Sequence, residues 1–457
     1  MKRINGLVEI IIARELLYHR LKLLWLYAMI ASYFYCPPIG RLAHVELTDL
    51  RIYDIVFIIG LFLFIMPNLQ TIICTIRSHN WLRAYFQFAS WAAVTLTLVV
   101  ILAGMAQAII AAGRLARFIA YGFVHAALLT FVSDTSILKK MTRFFYILIA
   151  IQGFISFLQT RGIIPTLWPE YWLYYGELPV GTLGPHHLHM GSIAIIGIAL
   201  GLALLHLPGE LLIRVIIMSS IGTLIYSIFN VESRSGYFGL GVIAFTYVLL
   251  VFRPRTFRSR LIGIFLITLG LFAFFYWGRE EVITPIKQKW EIGVWSRYQQ
   301  GGLAELSPSR VNIWIQALKS LFYQPWILLT GVGIQNAIYA IRIGNAAHNN
   351  YLHVLIEMGL PGLYLYLKML SSMQKRIWQI LHETNDPFGQ NLALGFQIGF
   401  ITILFLNLFN ENFYMQYALF SFTGQLMALS AMAMHPAWVS LKEKARFSAL
   451  SERGVSQ

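Results

Sequence analysis

The sequence predicts an all-α, polytopic integral membrane protein with about twelve transmembrane helices. Of its 457 residues, 58% are hydrophobic and only 12% are charged, against roughly 45–50% and about 25% in ordinary soluble domains. The 32 Phe, 23 Tyr and 12 Trp residues bring more apolar surface than one water-facing core of this size can bury. The bilayer is therefore the expected solvent for most of the chain, and a soluble globular protein is excluded.

Apolar runs bounded by charged residues, Gly or Pro indicate where the spans lie. At ~20 residues per span, twelve helices use about 240 residues. The predicted spans are 21–36, 52–68, 84–106, 115–133, 143–158, 187–207, 211–230, 236–252, 261–277, 351–370, 391–409 and 413–434. Residues 1–20 place apolar side chains at helical spacing among charges, which predicts an interfacial helix before the first span. The predicted order is therefore spans one to nine in 21–277, a loop domain in 278–350, spans ten to twelve in 351–434 and a cytoplasmic tail in 435–457.

The distribution of Lys and Arg predicts the orientation of the chain. With the N-terminus inside, 22 of the 35 Lys and Arg residues lie on the cytoplasmic side and 13 lie outside, seven of these in one long loop. Because long loops count little in the positive-inside rule, the short connections divide 22 to 6 in favour of this orientation. The net charge of +15 then reflects inner loops held at anionic lipids, and not nucleic-acid binding.

The outer segment 278–350, between predicted spans nine and ten, is much longer than the other connections between spans. Its four Trp residues stand among polar residues, and 311–322 repeats apolar residues at helical spacing. Ser307-Pro308-Ser309 just before that run is typical of a helix start. We therefore expect a small, ordered helical domain lying on the membrane.

Two arginines on the predicted outer side are candidates for binding an anion. Arg234 follows Ser233 at the mouth of span eight, where a charge must stay in the interface or in a wet cavity. Arg310 falls in the first turn of the predicted loop helix, where its charge opposes the helix dipole unless an anion is bound there. The alternatives are a snorkelling interface anchor for Arg234 and a solvated loop side chain for Arg310.

His348 is the candidate for acid–base chemistry. It lies where the long outer loop enters span ten, and imidazole is the side chain best suited to proton transfer near neutral pH. The neighbouring Asn349 or Asn350 could hold its tautomer. The alternative is a hydrogen-bonded interface residue without a catalytic role.

Other polar features have weaker implications. Glu357 inside span ten is a functional candidate or a helix-to-helix hydrogen-bonding group, and Gly-Leu-Pro-Gly at 359–362 should kink that span. His186, His187 and His189 open span six, but such closely spaced histidines with no nearby Cys or acidic residue fall short of the usual zinc patterns. No phosphate-binding Walker A motif, HExxH or Cys-pair motif occurs. The sequence therefore predicts neither a metal nor ATP-driven chemistry.

With these residues identified, the chain resembles the O-antigen ligase and O-antigen polymerase superfamily of bacterial envelope glycosyltransferases. The resemblance rests on the span number, the long outer loop, a segment similar to the family's glycine-bearing stretch at 181–183, and three motifs. The motifs are Ser233-Arg234-Ser235-Gly236, Arg310 ahead of Trp314, and His348-Asn349-x-Tyr351-Leu352 running into Glu357-x-Gly359-x-x-Gly362.

The resemblance implies cofactor-free, metal-independent transfer of a glycan from undecaprenyl diphosphate to an acceptor hydroxyl. The reaction would take place at the periplasmic face of the bacterial inner membrane. Carried across by motif, Arg234 and Arg310 would hold the diphosphate, and His348 would act on the hydroxyl. The residues that would support them are Ser233, Asn349, Tyr351, Glu357 and His186.

The expected partners are the undecaprenyl-diphosphate-linked donor, a glycan acceptor and membrane lipids. The acceptor is lipid A-core sugar for a ligase and a second lipid-linked repeat for a polymerase, and the net +3 charge of 278–350 suits either. The alternative from another class is a transporter or flippase of a lipid-linked or anionic solute. That class predicts internal two-fold repetition and paired broken helices, neither of which the sequence displays.

Overall fold

The computed structural model describes residues 2–35, 50–166, 179–183, 187–231, 234–251, 308–337, 348–409 and 420–439. Within these ranges the chain is helical and contains no strand. Predicted span 261–277 and the tail beyond residue 439 fall outside them. Numbered in chain order, the described α-helices are α1 (Lys2–Ser32), α2 (Ile52–Gly60), α3 (Leu69–Ser78), α4 (Asn80–Ala103), α5 (Met105–Phe131), α6 (Thr135–Thr160), α7 (His187–Leu204), α8 (Leu211–Asn230), α9 (Arg234–Val251), α10 (Pro308–Tyr323), α11 (Trp326–Thr330), α12 (Asn350–Glu383), α13 (Pro387–Leu406) and α14 (Phe420–Ala433).

Among the described residues, seven helical stretches are long and apolar enough to cross a membrane, so this is a multi-pass membrane protein. They are Ile52–Ser78, Asn80–Ala103, Met105–Phe131, Thr135–Thr160, Leu211–Asn230, Asn350–Glu383 and Pro387–Leu406. The first of these joins α2 to α3 through a π-helical turn and a 3-10 turn. Two shorter apolar helices, His189–Leu204 and Ser235–Leu250, match predicted spans six and eight. The count of twelve stays a prediction.

Some helix boundaries differ from the sequence-based ones. The turn between α4 and α5 is Gly104, whose φ of 86° suits glycine, so α5 begins well before the predicted residue 115. Apolar runs were ended at charged residues, but Arg114 and Arg117 lie within α5 because each finds a polar partner there. Likewise α1 runs without a break across the boundary placed at residues 20 and 21.

Small residues let the central helices approach closely. Helix α7 is enclosed by α6, α8, α9 and α13, and nearly all its described side chains are buried. A Cβ on Gly395 of α13 would lie 2.9 Å from the Cβ of Ala203 on α7, so the glycine sets the separation of this pair, as is common between membrane helices. Helix α12 packs mainly on α4, α11 and α13 and links this group to the first helices.

Hydrogen bonds that join helix termini and the turns beside them form two groups, one at each end of the helix bundle. At one end they join positions that the charge pattern assigns to the outside, namely Phe34 with Thr182, Gln107 with Gln335 and Asn350 with Asn407. At the other end they join positions assigned to the inside, namely Lys22 with Asn68, Lys139 with Asp386 and Thr384 with Trp438. His348 belongs to the first end, which we call the His348 end.

Candidate functional site

His348 stands immediately before α12 in a constrained backbone conformation. Its φ is 49°, a left-handed value that costs a non-glycine residue about 1–3 kcal/mol and that tends to occur at functional sites. The next residue, Asn349, is the N-cap of α12, and its Oδ1 accepts a hydrogen bond from the Leu352 N–H at 3.0 Å. The half-buried imidazole therefore stands directly beside a capped helix start.

The start of α12 is also fastened to α13. The Asn350 N–H donates to the Asn407 carbonyl at 2.8 Å, and the Asn350 side chain donates to the Tyr366 hydroxyl at 2.6 Å. The Tyr351 hydroxyl donates to the Leu404 carbonyl at 3.0 Å. These hydrogen bonds of both asparagines serve the helix start, whereas the sequence suggested that one of the two side chains holds the His348 tautomer.

The predicted kink in span ten is present, and it is a full break at Gly359. This residue has φ 67° and ψ −171° inside α12, which divides the helix into 350–358 and 360–383. A Cβ there would lie 2.9 Å from the Leu328 carbonyl oxygen, so α11 packs directly on the break. With Pro361 two residues later, the sequence alone placed this feature correctly.

The break frees three consecutive carbonyls at the end of the first segment, and each one has a new donor. The Ile356 carbonyl accepts from the Val332 N–H and the Glu357 carbonyl from the Gly333 N–H, both at 2.9 Å. The Met358 carbonyl accepts from the indole N–H of Trp91 on α4, also at 2.9 Å. Buried carbonyls need such partners, so the broken helix is completed by a distant loop and a distant helix.

That loop is described over residues 331–337, and every one of these residues is buried. A Cβ on Gly331, which has φ 72°, would overlap the Glu357 carbonyl, and a Cβ on Gly333 would lie 2.6 Å from Val99 on α4. The Ile334 N–H donates to Thr95 on α4 at 3.3 Å. The sequence placed 278–350 on the membrane surface, but this part of the segment lies inside the bundle.

A buried acidic group closes the contact between the loop and α12. Glu357 Oε1 lies 2.9 Å from His353 Nε2, and the two side chains are only 1% and 4% exposed. The same oxygen accepts from the Ala337 N–H at 3.3 Å. Glu357 therefore touches the loop with its carboxylate as well as with its carbonyl.

Two polar groups of α5 reach the same loop and were missed by the sequence analysis. Arg114 donates a hydrogen bond to the Gln335 side chain, and Gln107 donates to the Gln335 carbonyl at 2.8 Å. Nearby, Arg117 holds Asp54 at the start of α2 through Nε and Nη2, at 3.0 and 2.8 Å. One sequence feature could have pointed to these contacts. Arg114 and Arg117 stand three residues apart at the start of a predicted span, where a charged side chain needs a polar partner.

The segment 179–183 is anchored at the His348 end by one face of α6. The Gly181 N–H donates to the Gln159 side chain and the Thr182 N–H to the Gln152 side chain, both at 2.8 Å. Gly181 has φ 67°, which a side chain would strain. The stretch similar to the family's glycine-bearing segment is thus a fixed element of this end.

The predicted arginines begin two helices. Arg234 is the first residue of α9, and Arg310 lies in the first turn of α10, as its Ser-Pro-Ser start predicted. Helix α10 packs against α11 and α12, the elements that carry the buried loop and His348. Ser233 and His186 lie outside the described residues. Across the described ranges, no group of three or more His, Cys, Asp or Glu side chains is placed to hold a metal ion.

A comparison with protein families identifies part of this arrangement. Residues 220–367 match the family model described as O-Antigen ligase. This match supports the resemblance of the chain to the O-antigen ligase and polymerase superfamily. No curated protein matches the chain significantly.

The O-antigen ligase domain contains α9, α10, α11, the buried loop and the first segment of α12. It runs from within α8 to within α12, past the break at Gly359, and it includes Arg234, Arg310 and His348. Helices α4 and α5, which hold its buried loop through Thr95, Gln107 and Arg114, lie outside the matched segment. The O-antigen ligase domain is therefore completed by helices from the first third of the chain.

Proposed function

We propose that this chain is a membrane glycosyltransferase that moves a glycan from undecaprenyl diphosphate to an acceptor hydroxyl at the periplasmic face of the bacterial inner membrane. An O-antigen ligase domain already indicates a glycosyltransferase-type enzyme. The observation that carries the proposal further is that His348 and both predicted arginines fall inside this domain, each at or beside the start of a helix. Lipid donor, acceptor and membrane side are part of the proposal.

In the proposed reaction, His348 takes the proton of the acceptor hydroxyl as its oxygen attacks the anomeric carbon of the donor sugar. The bond from that carbon to the diphosphate oxygen breaks, and undecaprenyl diphosphate leaves with the electron pair. An imidazole near its own pKa is a suitable base for such a hydroxyl. The constrained backbone at His348 supports this role because a base must be held within hydrogen-bonding reach of its proton.

Arg234 and Arg310 hold the diphosphate in this proposal. A guanidinium group is a fixed fork for phosphate oxygens and stays charged, so two of them offset the charge that develops on the leaving group. This is the work that a divalent metal does in many other glycosyl transfers. The proposed enzyme is therefore independent of metal ions and of other cofactors.

The experiment supplies purified protein in nanodiscs with an undecaprenyl-diphosphate-linked glycan and, in separate arms, lipid A-core or a second lipid-linked glycan. Free undecaprenyl diphosphate and the extended glycan are measured together. Product with lipid A-core identifies a ligase, and product with the lipid-linked glycan identifies a polymerase. Movement of the lipid between leaflets without release of undecaprenyl diphosphate would establish the transporter or flippase class and overturn the proposal.

A further inference from the structure

We propose that Glu357 is a positioning residue, which clamps the buried loop 331–337 onto the first segment of α12 and so holds His348 in place. This inference rests on the proposed function for its catalytic consequence, but its structural part can be measured without activity. Glu357 lies seven residues beyond Asn350, the first residue of the segment that follows His348, about 10 Å along the helix axis. It acts on the reaction through the helix and not by touching substrate.

The first step of the argument is that the segment 350–358 is a separate rigid piece. The break at Gly359 removes the hydrogen bonds that would otherwise join it to 360–383. Nine helical residues in isolation are marginally stable, because helix nucleation is costly and few bonds follow it. The orientation of this piece, and of His348 before it, must therefore be set by outside contacts.

The second step is that the loop bonds the C-terminal end of this segment, just before the break. Its N–H groups at Val332 and Gly333 bond the Ile356 and Glu357 carbonyls at 2.9 Å, while α4 and α5 hold the loop from the other side through Thr95, Gln107 and Arg114. The loop thus ties the short segment to the first helices of the bundle.

The third step is the particular place of Glu357. Its carboxylate contacts the N–H of Ala337, the last residue described in this stretch, and the ring of His353 one turn earlier on the segment. A carboxylate that is 1% exposed is retained at a cost in solvation. That cost is explained if the carboxylate holds residue 337 against the segment, beyond the backbone bonds at residues 332 and 333.

The test combines transfer kinetics with amide hydrogen exchange in the full-length protein in nanodiscs. In Glu357→Ala we expect kcat to fall about 10- to 100-fold, the range expected for a misplacement of about 1 Å, with KM within about twofold. Amides in 331–337 and 350–356 should exchange about tenfold faster, while those of α7 stay unchanged. The matched control is Glu383→Ala at the exposed far end of α12.

Glu357→Gln separates positioning from chemistry. Its amide oxygen still accepts from the Ala337 N–H, so we expect loop exchange near that of the wild type and kcat within about threefold of it. A group that transfers a proton in the reaction would lose as much activity in Gln as in Ala. Equal loss in Gln and Ala, with loop exchange normal in both, overturns the positioning role.

A second substitution, at Gly331, disturbs the contact between the loop and Glu357 without changing the Glu357 side chain. Gly331→Ala places a Cβ against the Glu357 carbonyl, whereas Gly162→Ala, at a similar φ of 68°, has nothing within 4 Å. Only the former should raise exchange in 331–337 and lower kcat. Unchanged exchange in both Glu357→Ala and Gly331→Ala overturns the clamp. A wild-type protein that transfers no glycan to either acceptor overturns the proposed function instead, and the exchange measurements still decide the clamp.

Discussion

At the scale of single residues, the contact from Arg114 to Gln335 fastens the buried loop to α5. His348 and Arg310 could be singled out because histidine and arginine have few roles at the entrance to a membrane helix. Gln335 and Arg114 could not, because their contact joins positions 221 residues apart and depends on how a loop is buried. The same holds for Asn349, whose place before an apolar run was visible but whose capping bond to Leu352 was not.

Removal of the proposed base is the first prediction. His348→Ala should leave expression and donor binding near normal and slow transfer by about 10²–10⁴-fold, the usual contribution of a general base. Single-turnover transfer with purified protein measures this. His382→Ala, a change on the exposed far end of the same helix, should leave the rate unaltered. A well-folded His348→Ala protein with full activity would refute the assignment.

The second prediction concerns the two proposed phosphate-binding arginines. Lysine keeps the charge but loses the planar fork, so Arg234→Lys and Arg310→Lys should each lower transfer by roughly 10- to 150-fold, equivalent to about 1.5–3 kcal/mol. Arg214→Lys, in the first turn of α8 at the opposite end, is the matched control. Activity should persist in EDTA. Chelator sensitivity combined with normal rates in both lysine variants would mean that a metal holds the diphosphate.

At the scale of helices, local sequence signals were reliable where the cause was local. Pro361 beside two glycines predicted the break in α12, and Ser307-Pro308-Ser309 predicted the start of α10. Boundaries set by hydrophobicity were less reliable, since α5 continues through Arg114 and Arg117 once each has a partner. The N–H groups of Val332 and Gly333 donate to the carbonyls that the break in α12 leaves free. These hydrogen bonds could not be predicted from local sequence because they depend on tertiary packing.

The third prediction concerns the junction of α6 and α13, where Lys139 and Asp386 lie 2.7 Å apart. Burial by itself would raise the pKa of Asp386, but bonds from Lys139 and from the N–H groups of Gly389 and Phe388 outweigh it and lower the pKa below its ordinary value of 3.8. The stabilisation is therefore fully present above about pH 4 and is lost as the pH falls through the lower pKa of the folded state.

Asp386→Asn keeps an oxygen for the helix cap but removes the ion pair. We expect it to lower the free energy of unfolding by up to about 1 kcal/mol at pH 7, and this difference should shrink steadily below about pH 4. Thermal melts in detergent at several pH values measure it. Glu383→Gln at the exposed end of α12 serves as the control. A difference that is the same at pH 7 and at pH 3 would exclude the ion pair as its origin.

At the scale of the whole molecule, composition was enough to predict an all-helical, multi-pass membrane protein, and the seven candidate spans in the described part of the chain confirm that class. The number twelve is harder to reach from hydropathy, because short apolar helices such as Ser235–Leu250 do not differ in length from buried helices of soluble proteins. The sequence divides the chain into a membrane part and a surface loop domain. It gave no indication that residues 331–337, within that loop domain, are buried among the helices.

The fourth prediction tests the orientation. In a protein with Cys36 and Cys74 replaced by Ser, the variants Lys140→Cys, Lys375→Cys and Lys319→Cys each place a thiol at an exposed position. The charge distribution predicts that an impermeant thiol reagent labels intact spheroplasts only at position 319. Labelling at position 140 or 375 without permeabilisation, together with no labelling at position 319, would show that the chain has the opposite orientation. That result would exclude a reaction at the periplasmic face.

The insertion of the loop between early and late helices has a consequence for biosynthesis. The hydrogen bonds from Ile334 to Thr95 and from Trp91 to Met358 span 239 and 267 residues. At translation rates of about 5–20 residues per second, α4 and α5 leave the ribosome roughly 12–50 s before their partners exist. Over that interval the indole of Trp91 and the amide of Gln107 lack their final acceptors in a medium that offers few others. The nascent N-terminal half is thus an assembly intermediate. An insertase or chaperone must accommodate its polar groups until residues 331–358 have been synthesised.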